Sequence, residues 1–136
     1  MMKLKYTIPI IPPSNNKYLG NGGQGKNLEY QAEKRQWAGY VNLFCKPTPP
    51  YPIARAKVLL HYFFKDGRRR DPDNYSGKFI LDGLVKNKII QDDSFKVIEL
   101  ELKADVDPAH QGYVEITITK ISNAATDERQ INNKTE

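Results

Sequence analysis

The 136-residue chain is 39% hydrophobic with a formal net charge of +5, which suffices for one cored domain and not for two. No apolar run reaches the ~18 residues that a membrane span needs, and the basic start MMKLKYTIPIIPP lacks a signal peptide's uninterrupted apolar core, so no membrane partner and a cytoplasmic location are expected. Cys45 is the single cysteine, which excludes an intramolecular disulfide and a thiolate metal cage.

The positive excess lies in residues 1–121. The tail from 122 to 136 sets Asp127, Glu128 and Glu136 against Arg129 and Lys134. A basic body of this size favours a polyanionic partner.

Over residues 3–11, Leu4, Tyr6, Ile8 and Ile10 alternate with Lys3, Lys5 and Thr7, the period of a half-buried strand that Pro12-Pro13 stops. SNNKYLGNGGQGK, residues 14–26, holds four glycines without apolar period and is expected to be a mobile basic loop facing the substrate, with Asn15, Asn16, Lys17 and Lys26 as contacts. Gly20 and Gly25-Lys26 have the spacing of a phosphate-binding loop, but Asn27 stands where Ser or Thr would bind Mg²⁺ and the strand ends well before Gly20. No nucleotide cofactor is expected.

Residues 28–46 read as a helix with Asn27 as N-cap. Its apolar stripe is Trp37, Ala38, Val41, Phe44 and Cys45, and its wet face carries Glu29, Glu33, Lys34 and Asn42. Trp37 and Cys45 are core residues on this spacing. A stiff proline-rich connector, 47–52, leads to a strand over 56–64 that is apolar on both faces and belongs inside the sheet. His61, alone in that strand, reads as a packed or hydrogen-bonded imidazole.

Arg68-Arg69-Arg70 then runs into Asp71-Pro72-Asp73-Asn74, and Asp92-Asp93 follows a short helical pattern. Clustered carboxylates beside clustered guanidiniums need partners, which a divalent cation and a phosphodiester would supply. Asp71 and Asp73 share a face in extended geometry, Pro72 biases Asp71 toward it, and Asp73 or Asn74 would cap a helix running to about Lys86. Ile80, Leu81, Leu84 and Val85 would face the core, with Lys78, Asp82 and Lys86 on the polar side. A capped helix start with surface ion pairs accounts for the same residues without chemistry. A calcium loop fits positions 1, 3 and 12 at Asp71, Asp73 and Asp82, but Ser76 stands where that loop needs glycine.

Farther on, Ile98, Leu100, Leu102 and Ala104 alternate with charged residues, as do Val114, Ile116 and Ile118 with Glu115, Thr117 and Thr119. With Asp107-Pro108 to Gly112 as the turn, these are expected to form an antiparallel pair with one solvated face. The fold expected is α+β: one domain over 1–121 with a mixed sheet of about four strands and two main helices in the order β-α-β-α-β-β, then a disordered tail over 122–136.

The chain resembles the RusA family of crossover-junction (Holliday junction) endodeoxyribonucleases of bacteria and phages. Carrying the resemblance are Pro12-Pro13-Ser14-Asn15-Asn16-Lys17-Tyr18, Arg68 to Asn74, Lys78, Leu81-Asp82-Gly83-Leu84, Asp92-Asp93 and the Val114 to Thr119 strand, across residues 3–121. It implies a homodimer that resolves four-way DNA junctions by paired Mg²⁺-dependent cuts, with Mn²⁺ able to substitute. Asp71, Asp73 and Asp93 would be the catalytic metal-binding acids, Lys78 the catalytic lysine, Asp82 and Asp92 accessory acids, and Arg68, Arg69 and Arg70 contacts to DNA. Tyr75-Ser76-Gly77 put one residue more between Asn74 and Lys78 than the family pattern, an insertion expected in the helix's entry loop at Gly77. The rival expectations are a non-catalytic branched-DNA-binding protein and a less selective metal-dependent nuclease.

Overall fold

In the computed structural model, residues 2–18 and 23–122 are described, without the side chains of residue 18 and residues 23–26. The expected disorder of the tail therefore lies outside the described residues from 123 onward, as does the side chain of Lys26. The elements follow the expected order: β1 (Lys3–Ile8), α1 (Gly23–Phe44), β2 (Ala56–Phe64), α2 (Lys78–Lys86), β3 (Ile98–Val106) and β4 (Tyr113–Lys120). They build one four-stranded mixed sheet in the order β1-β4-β2-β3, with β2 inside it as its two apolar faces require. No described helix is long and apolar enough to cross a membrane.

The β3/β4 expectation is corrected. β3 pairs parallel with β2, Leu60 opposite Leu102, while β4 pairs antiparallel with the other edge of β2, Leu60 opposite Ile116. The α2 crossover delivers β3 to one side of β2, and the 107–112 turn carries the chain past the end of β2 to its other side. Alternation gives each strand its faces but not its neighbour. That turn is organised by Asp107, which is buried. Its carboxylate accepts from the backbone N–H groups of Ala109, Gln111 and Gly112 at 2.9, 3.0 and 2.9 Å. β4 also pairs with β1, Tyr6 opposite Ile116.

Both helices cover one face. Tyr6, Ile8, Val58, Leu60, Ile116 and Ile118 of the sheet, Trp37, Val41 and Cys45 near α1, and Ile80 and Leu84 of α2 are buried together. Burial pushes the Cys45 thiol up to about 12. Gly83 lets the helices approach, since a Cβ there would lie 2.8 Å from Cγ2 of Val41. On the open face His61 Nε2 meets Asp105 Oδ2 at 2.6 Å and its ring stacks on Phe63, so His61 is hydrogen-bonded as expected.

Three boundaries move. β1 stops at Ile8, where Pro9 offers no N–H to the ladder. α1 begins at Gly23, so Asn27 lies inside it and is not its cap; low glycine propensity is a weak preference that tertiary context overrides. α1 also ends two residues early, ahead of Pro47.

Candidate functional site

The loop leaving β2 is built around Asp66. Its carboxylate accepts from the Arg68 backbone N–H at 3.1 Å, from Nη2 of Arg68 at 3.2 Å and from Nη2 of Arg70 at 2.9 Å. The Arg68 N–H and then the Arg70 guanidinium hold the Asp66 carboxyl below its ordinary value. Arg70 Nη1 also donates to the carbonyls of Asp66 and Arg68, and its guanidinium lies 4.3 Å over the Phe64 ring. Of the three arginines offered to DNA by sequence, Arg70 is thus engaged in the loop itself, with a side chain only 16% exposed against 76% for Arg68 and 88% for Arg69.

Next comes the acidic turn. Asp71 is extended ahead of Pro72, at φ −101° and ψ 142°, and Pro72–Asn74 form one 3₁₀ turn. This corrects the helix start: α2 begins at Lys78, not after Asp73 or Asn74, and Gly77 at φ +87° is its cap residue. A Cβ at Gly77 would lie 2.2 Å from Cδ1 of Leu60, so only glycine satisfies both the left-handed backbone and the space.

Asp73 is exposed and Asp71 half-buried, with Arg69 Nε donating to Asp71 Oδ1 at 3.2 Å. Asn15 reaches across from a 3₁₀ turn over Asn15–Tyr18. Its Nδ2 donates to the Asp73 carbonyl and to Ser76 Oγ, both at 2.9 Å. Tyr75 sets its ring edge-on to Phe64 at 5.0 Å and to Tyr62 at 5.8 Å. Asp71, Arg70 and Tyr75 then line a cleft of about 90 Å³ against Leu102 and Ala104 of β3. Asn16 and Lys17 are exposed beside Asn15.

Asp92 and Asp93 are exposed on the segment that enters β3. That segment is pinned where Ile53 and Gln91 exchange backbone bonds, Ile53 N–H to the Ile89 carbonyl at 2.9 Å and Gln91 N–H to the Ile53 carbonyl at 3.0 Å. Asp93 lines a groove of about 570 Å³ with Leu81, Phe95, Ile98 and Leu100. Ile98, Leu100, Leu102 and Ala104 share one face of β3, so Asp93 and Asp71 stand on the same side of the sheet. Their two hollows succeed one another along the strand, with centres about 13 Å apart at the usual rise per residue.

The triad expected from Asp71, Asp73 and Asp93 is not gathered into a cage. Among the described residues no three His, Cys, Asp or Glu side chains stand close enough together to hold a metal ion. Mg²⁺ is commonly held by one or two carboxylates, with water and substrate phosphate oxygens completing its shell. The half-exposed Asp71 and exposed Asp73 on one short turn fit that mode, and a three-carboxylate cage is what they do not fit.

Lys78 and Asp82 turn toward α1. Asp82 faces Lys34 at 3.9 Å and Lys86 at 3.4 Å, while the Lys78 ammonium lies 5.1 Å from the centre of the Tyr30 ring. Three positions before Leu81, Lys78 stands one turn along the same side of α2 that borders the Asp93 groove.

Sequence reasoning missed Asp66, Tyr75 and the inward role of Asn15. Asp66-Gly67 ahead of Arg70 was a legible turn signal with an i, i+4 ion pair; nothing local marks Asn15, whose partners lie far along the chain. No protein-family model matches the chain, and no curated protein matches it.

Proposed function

We propose that this chain is a Mg²⁺-dependent endodeoxyribonuclease, with Mn²⁺ able to substitute, that acts in the cytoplasm on branched DNA and resolves four-way junctions by paired symmetric cuts. The observation that carries the reading is the loop 66–74, which presents the acids Asp71 and Asp73 together with the outward Arg68 and Arg69. Asp93 adds a further acid along the same face of β3. A bound Mg²⁺ would polarise the phosphodiester and lower the pKa of a coordinated water.

The protein's own groups supply the rest. Arg68 and Arg69 neutralise and register the incoming phosphates. Arg70 and Asp66 fix the loop that presents them, and Pro72 with Asn15 fixes the turn that carries the acids. Lys78, swinging off Tyr30, would stabilise charge on the leaving oxygen. A four-way junction is close to two-fold symmetric, so two sites in a C2 homodimer match the two incisions.

The second reading is a branched-DNA-binding protein without chemistry, favoured by the engagement of Lys78 and Asp82 with α1 and by the missing third acid. A four-way junction, a flap, a duplex and a single strand, each incubated with Mg²⁺, Mn²⁺ or EDTA, separate the readings. Paired nicks in the junction alone, abolished by EDTA and by Asp73→Asn, are expected. Cleavage that survives Asp73→Asn overturns the assignment of that acid, junction binding without product supports the second reading, and equal cutting of flap and duplex indicates a less selective nuclease.

A further inference from the structure

β3 is an edge strand nine residues long, and among the described residues nothing pairs with its outer side. The opposite edge, β1, is shorter and presents Lys3 and Lys5, the usual protection against edge pairing. β3 instead leaves Leu100 and Val106 exposed at 41% and 45%.

We infer that β3 pairs antiparallel with β3 of a second copy of this chain about a two-fold axis at Leu102, joining two four-stranded sheets into one. Leu102 is the midpoint of Ile98–Val106, so this register overlaps the whole strand and any other shortens it. The same register is the one the side chains favour. Glu101 faces Lys103 of the second copy, twice by symmetry, on the open face, and Leu100 faces Ala104 and Ile98 faces Val106 on the helix face.

An axis at residue 101 sets Glu101 against itself, and one at residue 103 sets Lys103 against itself. Glu99 and Asp105, which also meet, each keep a partner within their own chain: Arg55 at 3.5 Å and His61 at 2.6 Å. Lys103 is exposed and enters no ion pair among the described residues, so a partner carboxylate answers it, while Glu101 already touches Lys57 at 3.5 Å. The pairing places the two Asp71-lined clefts, which border Leu102 and Ala104, on either side of the axis.

The inference gives the homodimer of the proposed function its surface and rests on that reading only for the paired cuts; its test reads assembly, with no DNA present. Sedimentation equilibrium of the wild-type chain should give a dimer. Lys103→Glu and Glu101→Lys, both at exposed or half-buried strand positions, should each raise the dimer dissociation constant by about tenfold or more through like-charge facing. Mixed in equal amounts, the two variants should re-form a dimer, because both 101–103 pairs are then of opposite charge. The double variant Glu101→Lys/Lys103→Glu should likewise recover it. A monomeric wild type, single variants that dimerise as tightly as wild type, or a mixture that stays monomeric while both variants keep the wild-type thermal transition each overturns the register. Loss of cleavage with assembly intact would count against the nuclease reading and leave the interface standing.

Discussion

Asn15 and Asp73, 58 positions apart, are joined through a single amide: the Asn15 Nδ2 that donates to the Asp73 carbonyl also donates to Ser76 Oγ. The N-terminal loop is thereby fastened to the turn that carries the candidate acids, and an asparagine expected to touch DNA is spent on holding the site's shape.

Asn15→Ala should cost about 1 to 2 kcal/mol, two hydrogen bonds at a half-exposed position. Asn15→Asp should cost at least as much, because a carboxylate cannot donate and would face the Asp73 carbonyl. Urea unfolding measures the stability, and partial proteolysis should cut the 66–77 segment faster in both variants.

Arg70 and Arg69 should separate cleanly. Arg70→Ala removes a partly buried guanidinium from Asp66 and two carbonyls and should destabilise by about 2 kcal/mol. Arg69→Ala, at an exposed side chain, should leave stability within about 0.5 kcal/mol. It should nevertheless weaken junction binding and lower the salt dependence of the affinity by about one counterion, as titrations at several salt concentrations would report.

Gly77→Ala should be among the most damaging single-methyl changes in the chain, at about 3 kcal/mol. It combines a left-handed backbone with a clash against Leu60. Circular dichroism melts would show a lowered Tm, and if Leu60 moves aside, Leu60→Val in the same background should partly restore it.

Acid stability should report Asp107. The N–H groups of Gly112, then Ala109 and Gln111, hold its carboxyl below its ordinary 3.8. A folded-state pKa lowered in this way contributes stability above the unfolded value and loses it as the pH falls through the folded one. The wild type should therefore weaken on acidification below about pH 4. Asp107→Asn should be less stable at neutral pH and show a shallower acid limb, with Asp66 keeping a residual slope of the same sign.

Much of the fold was legible because burial imposes period. An apolar run on both faces bounds β2 at Ala56–Phe64, alternation places Tyr6 and Ile8 inward, and the Trp37, Val41 and Cys45 stripe is buried as its spacing demands. Which strand lies beside which was not legible, since β3 and β4 flank β2 through a ladder between segments far apart in the chain. At the candidate site, the pre-proline geometry of Asp71 followed from local chemistry, whereas the helix start at Lys78 behind Gly77 did not, because Asp73 and Asn74 offered the stronger local cap signal. The distance from Asp93 to the Asp71 turn depends on where along β3 the two segments dock, and the partners of Lys78 and Asp82 lie on α1. No residue near them announces either.

The place of β4 between β1 and β2 has a consequence for biosynthesis. Among the described strands β1 has no neighbour until β4 emerges, so a nascent chain released as far as residue 112 holds a sheet with a slot in its middle. Such late closure predicts slow maturation and a nascent chain that depends on chaperones. A stop codon at the start of β4 would leave β1 without a ladder among the described residues.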